Sequence, residues 1–168
     1  HTYDNACDAD CNACGGSRIP SDHVYTADCD TICDVCGAQR TVTAGGETTI
    51  TFDADKTQRI EFSTAIQVWQ NGDLIVTNNK GSATSNVADY SDPVRFYKGS
   101  NIIISYPGMT SLVINAPTGT YGTPWGTTLD NAGLEYTVDG GVYTVTFDAP
   151  VDSITLTASA QIRANSIT

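Results

Sequence analysis

Histidine is almost missing from this sequence, and the little there is sits at one end. His1 and His23 are the only two, so residues 24–168 contain none. That absence removes Ser-His-Asp and Cys-His catalysis from most of the chain. Cationic residues are scarce too: 8 Lys+Arg stand against 19 Asp+Glu, a formal net charge of -11. Nucleic-acid affinity comes mainly from Lys and Arg neutralising phosphates, so no nucleic-acid partner is expected. An anionic bilayer surface is disfavoured on the same ground. No apolar run approaches the ~18 residues of a membrane-spanning helix, so no membrane insertion is expected either. With 40% apolar and 16% charged residues in 168, the composition is that of a folded domain with a small appendage.

Cysteine is confined as tightly as histidine. Cys7, Cys11, Cys14, Cys29, Cys33 and Cys36 are all six, and none follows. This asymmetry divides the chain into a Cys-, Asp- and His-containing region, 1–40, and a region rich in Thr, Val, Ile and Tyr, 41–168. The first region is an internal repeat. HTYDNACDADCNACGGSR (1–18) aligns without gaps on HVYTADCDTICDVCGAQR (23–40), sharing His, Tyr, Cys, Asp, Cys, Cys, Gly and Arg. Each copy reads H-x5-C-x3-C-x2-C-G.

Units of about 18 residues with so little apolar surface cannot hold themselves together. Zinc or disulfides must do so. Zinc favours four tetrahedral ligands, and Cys3His is a common closed set. Each copy supplies three Cys and one His, which predicts two structural zinc ions, one on His1, Cys7, Cys11 and Cys14 and one on His23, Cys29, Cys33 and Cys36. The Cys-x2-Cys-Gly segments look like zinc knuckles. Disulfides stay open as the alternative, since oxidising surroundings favour them, but three Cys per unit leave one over. No calcium-loop motif is present, so calcium is not indicated.

Residues 41–168 read as strands. Thr48–Phe52 and Gln58–Phe62 alternate with period two. Ile66–Trp69 and Leu74–Val76 flank an Asn71-Gly72 turn. Val94–Tyr97 with Ile102–Ile104, and Leu134–Val138 with Val142–Phe147, read as two further hairpins. Leu112–Ile114, Ser153–Thr157 and Gln161–Arg163 complete about ten strands, and no helix is expected. The predicted fold is all-β: an antiparallel β-sandwich or jelly roll, preceded by the two metal-stabilised repeats.

The tandem H-x-Y-x3-C-D-x2-C-x2-C-G-x2-R units resemble short repeats of secreted and surface proteins of anaerobic gut and rumen bacteria. Asp92–Ser100 and Ala160–Ile167 resemble segments of β-sandwich modules in similar extracellular proteins. The resemblance implies an extracellular or cell-surface location within a longer multidomain chain. It also implies glycan binding, by association with carbohydrate-active and adhesive neighbours.

A non-catalytic carbohydrate-binding module is therefore the leading expectation, its partner a neutral polysaccharide or glycan. Sugar sites need flat aromatic faces and planar polar side chains. Alternation with Ile66 and Val68 inward would expose Trp69 beside Asn71; Arg95 and Tyr97 alternate likewise with Val94 and Phe96. Tyr121 and Trp125 fall in a Gly/Pro-rich stretch, Ala116–Asp130, that reads as a long loop. These six residues are the candidate glycan contacts. A structural or adhesive spacer with no glycan site is the alternative. An enzyme is not expected: carboxylate pairs such as Asp89 with Asp92, or Asp148 with Asp152, lie in loop-like stretches where acids simply face solvent.

Overall fold

The computed structural model describes residues 4, 5, 7, 13, 14, 17, 24, 32–39 and 46–168. The chain divides into two compact units, His1–Gly46 and Glu47–Thr168.

The second unit is antiparallel β with ten strands and one short helix. In chain order these are β1 (Ile50–Thr51), β2 (Arg59–Phe62), β3 (Ile66–Asn71), β4 (Leu74–Asn79), β5 (Val94–Phe96), β6 (Asn101–Asn115), α1 (Trp125–Asn131), β7 (Tyr136–Asp139), β8 (Val142–Thr157), β9 (Ile162–Ala164) and β10 (Ser166–Ile167). Eight strands form one sheet along the path β1-β10-β6-β4-β3-β2, with β8 beside β6 and β7 beside β8. The other two, β5 and β9, form a separate pair.

The long strands β6 and β8 organise the sheet. The first part of β6 pairs with β4 through Asn101–Ser105, and its end pairs with β10 at Ile114 and Asn115. Its middle carries Pro107, which has no amide hydrogen to give a ladder. The register with β8 shifts there, between Ser105 and Met109, and the Gly108 amide donates to Asp152 Oδ1 instead (2.9 Å). One strand thus serves two sets of partners. The expected segments Ile102–Ile104 and Leu112–Ile114 are the two halves of β6; Val142–Phe147 and Ser153–Thr157 are both within β8.

Two expected hairpins are present, β3–β4 with Asn71 opposite Leu74 and β7–β8 with Asp139 opposite Val142. The third is not. β5 pairs with β9, not with the adjacent β6, and Arg95 stands opposite Arg163. Local turn chemistry around Lys98–Asn101 therefore gave the wrong partner. Non-local pairing was not readable from it.

The faces of β3 follow expectation only in part. Val68 is buried as expected, but Gln67 and Trp69 are fully buried too, while Ile66 keeps partial exposure. Period two separates the faces without saying which is inward; a Trp on either face gains most by burial. Trp69 meets Phe52 edge-on at 5.1 Å between ring centres.

The stretch read as a loop holds α1. It is seven residues long, too short for a 3.6-residue period to show, and it opens after Pro124, a residue suited to a helix start. Trp125 and Leu129 face inward and are fully buried. Trp125 packs on Phe96 of β5 (5.9 Å, near-perpendicular). One continuous core results, drawing Phe52, Trp69, Ile104, Leu112, Trp125 and Ile162 from strands, helix and the β5–β9 pair alike.

Gly122, just before α1, is fixed by close approach: a Cβ there would overlap the Pro117 carbonyl oxygen. The Tyr143 hydroxyl donates to the Gly122 and Thr123 carbonyls from below (3.1 and 3.2 Å). Gly122→Ala is therefore expected to cost about 1–3 kcal/mol as the turn is forced open. Urea unfolding would check this, as a lower midpoint with unchanged slope.

Candidate functional site

Cys33 and Cys36 flank a tight turn whose geometry explains the Cys-x2-Cys-Gly spacing. The Gly37 amide donates to the Cys33 carbonyl (2.8 Å), and Gly37 takes φ +72°, a conformation that side chains disfavour. Cys33 N–H donates to Ala38 O (2.9 Å), and Ile32 bridges Gln39. Both thiols are thereby presented from one small loop. Cys33 is 2% exposed.

Cys7 joins them. Its Sγ lies 3.9 Å from Cys33 Sγ, and the sulfurs of Cys7, Cys33 and Cys36 all lie within 4.8 Å of one another. A disulfide needs about 2.05 Å. Sulfurs of a tetrahedral zinc site, with Zn–S near 2.3 Å, stand about 3.8 Å apart. The separation fits a shared metal ion. The Val24 amide donates to Cys33 Sγ (3.3 Å), the kind of backbone contact that stabilises a thiolate. Lost solvation, then the Cys36 and Cys33 thiols, raise the Cys7 thiol from its ordinary 9.0 to about 11. Cys7 therefore resists ionising beside its neighbours, and a bound cation reverses that preference.

The grouping crosses the repeat. Cys7 belongs to the first copy, while Cys33 and Cys36 belong to the second, so these three do not fall into the one-copy, one-ion sets. Cys14 is exposed and is not in this group. His1, Cys11, His23 and Cys29 lie outside the described residues. Sequence spacing singles out candidate ligand types; it does not encode which copies come together.

A second candidate surface lies on the β5–β9 pair. Arg95 and Arg163 are cross-strand partners on one face. The Arg95 guanidinium stacks over the Tyr90 ring at 3.8 Å and donates through Nη1 to the Tyr97 hydroxyl (3.2 Å). Arg163 stacks over Tyr121 at 3.9 Å. Tyr90 and Tyr121 remain 51% and 38% exposed, so the surface is an aromatic-cationic strip open to solvent.

Buried groups hold this strip from beneath. The amide of Asn78, in the core, donates to the Arg95 carbonyl (3.1 Å), and that of Gln67 donates to the Tyr90 carbonyl (3.4 Å). Trp125 Nε1 donates to the Arg163 carbonyl (2.8 Å), and the Arg163 amide donates to Tyr121 O (2.9 Å). Beside Tyr121 in sequence, Gly122 helps line an open depression of about 370 Å³ with Pro117, Thr123, Val138 and Tyr143.

Of the six expected glycan contacts, Arg95, Tyr97 and Tyr121 lie on this strip. Trp69 and Trp125 do not present a face to any ligand: both are 0% exposed, because the core needed their area. Asn71, exposed at the β3–β4 turn, gives its amide to the Thr49 carbonyl (2.8 Å). Tyr90 and Arg163 were missed. Cross-strand pairing brings Arg163 in, and no local pattern signals it. Among the acids, Asp89 pairs with Arg59 and with Lys56 (2.8 Å), contacts that lower its pKa.

The fold and sites together define an antiparallel all-β protein with a compact Cys-rich unit that contains a three-cysteine cluster suited to a metal ion. No protein-family model, curated protein or solved structure matches the chain.

Proposed function

We propose that this protein is a non-catalytic extracellular accessory module that binds carbohydrate through the β5–β9 strip, with zinc as the structural lock of its Cys-rich unit. The observation that carries the reading is the clustering of Tyr90, Tyr97 and Tyr121 around one short strand pair, two of them substantially exposed and the backbone beneath fixed by buried amides. Sugars bind to such preformed arrays, where aromatic faces meet C–H groups and planar donors meet hydroxyls. The non-catalytic part is supported by the acids. Asp89 is held by two cations that lower its pKa, so it is not poised as a proton donor.

Zinc in the Cys7/Cys33/Cys36 cluster is supported by the sulfur spacing and by the thiolate-directed Val24 amide. A second ion on the remaining Cys and His ligands completes the proposal. The resemblance to gut and rumen surface repeats supports the extracellular setting.

Affinity electrophoresis through gels containing plant polysaccharides tests the reading. Retardation by at least one polysaccharide is expected, reduced about tenfold or more in Tyr121→Ala, since an aromatic anchor carries a large share of binding energy. The second reading, a structural or adhesive spacer, is favoured by the complete burial of Trp69 and Trp125. Unretarded migration through every gel would establish it.

A further inference from the structure

The two arginines of the strip point to more than a generic sugar surface. Like charges placed directly opposite on a strand pair are destabilising. Arg95 and Arg163 occupy such a position, and neither has a carboxylate partner among the described residues, in a chain with 19 acidic side chains. Both Nε atoms are buried without a hydrogen-bond acceptor. Stacking on Tyr90 and Tyr121 offsets part of the cost by cation–π attraction. Apart from Arg95 Nη1, which donates to the Tyr97 hydroxyl, it leaves the in-plane N–H donors of each fork with little to bond.

We infer that the strip takes a glycan bearing a carboxylate, a uronic acid group held by the Arg95–Arg163 pair while its neighbouring sugars lie against the tyrosines. This rests on the carbohydrate-binding reading and narrows it. The planar guanidinium fork matches a carboxylate with two parallel hydrogen bonds. The net charge of -11 sets the other limit. A densely charged polyanion is repelled at long range by the whole protein, whereas a mostly neutral chain with isolated carboxylates is not. Cationic residues are few in this sequence, yet two of them stand opposite one another, each stacked on an exposed tyrosine. The ligand is accordingly a weakly acidic rather than a strictly neutral polysaccharide.

The test is isothermal titration of the full chain at low salt with three probes: glucuronoxylan oligosaccharides, the same oligosaccharides after carboxyl reduction, and poly-glutamate. The native oligosaccharide is expected to bind at least tenfold tighter than its reduced form. Arg163→Lys keeps the charge but not the fork, and should remove most of that ratio while leaving the circular dichroism spectrum unchanged. Arg95→Gln should remove it altogether, and weaken the reduced probe far less. Equal affinity for native and reduced oligosaccharides would overturn this inference but leave the carbohydrate reading standing. Binding of neither would overturn this inference, and the polysaccharide gels then decide the carbohydrate reading. Poly-glutamate binding as tightly as the native oligosaccharide would overturn the inference in favour of an acidic protein partner.

Discussion

Replacing Cys33 with serine is expected to release zinc and unfold the Cys-rich unit, with the unfolding transition of the β unit unchanged. Cys33 is the most central of the three gathered cysteines: buried, 3.9 Å from Cys7 Sγ and contacted by the Val24 amide. Among the described residues of the unit, the large apolar side chains Val24, Ile32 and Val35 are all exposed. Metal-binding free energy is then folding free energy, about 10 kcal/mol or more for a structural zinc site. Because the cluster joins Cys7 to Cys33 and Cys36, Cys7→Ser should disrupt the turn around Gly37 as well as its own copy. EDTA should reproduce both variants.

The pH dependence has a definite sign. Without metal, the raised Cys7 pKa means the gathered thiols are favoured below pH 9.0 and disfavoured as pH rises through about 11. With zinc the sign reverses, because each coordinating thiol must first lose its proton. Acid should therefore strip the metal, and zinc affinity should rise with pH across the neutral range. Titration with a colorimetric zinc chelator at several pH values measures this. The mass of the denatured, unreduced chain supplies the counter-test, since a value six hydrogens below the fully reduced one would mean three disulfides among the six cysteines.

Trp125→Ala should be the most damaging single change in the β unit. It empties the space of a fully buried indole, removes the edge contact with Phe96, and leaves the Arg163 carbonyl without its 2.8 Å donor. The cavity costs about 3–5 kcal/mol, and the orphaned carbonyl about 1 kcal/mol more. Trp69→Ala should cost the cavity and the edge contact with Phe52 but no hydrogen bond, since Trp69 Nε1 has no partner to lose. Trp125→Phe separates the contributions by filling most of the space without the donor. Urea unfolding followed by circular dichroism should rank the variants Trp125→Ala, Trp69→Ala, Trp125→Phe from most to least destabilised.

These tryptophans also mark where the sequence stopped being informative. Alternation located β3 correctly but could not say which face was core, and the larger side chain decided it. Tyr121 and Trp125 looked equivalent in a Gly/Pro-rich stretch; the seven-residue helix separates them, turning one ring inward and leaving the other out. Turn residues between β3 and β4 and between β7 and β8 were legible because both strands were adjacent. The β5–β9 pair was not, since its partners are 66 to 70 residues apart in a 168-residue chain and only the folded sheet brings Arg95 opposite Arg163. The repeat behaves likewise. It displays candidate ligands, and the fold sets Cys7 with the second copy's pair.

The binding face is tested most directly by recording backbone amide NMR spectra of the labelled chain while titrating the acidic oligosaccharide. The account predicts the largest shifts at residues 90–97, 121 and 162–164, with residues 69–71 nearly still. Shifts centred at the β3–β4 turn, or none anywhere at saturating oligosaccharide, would contradict it.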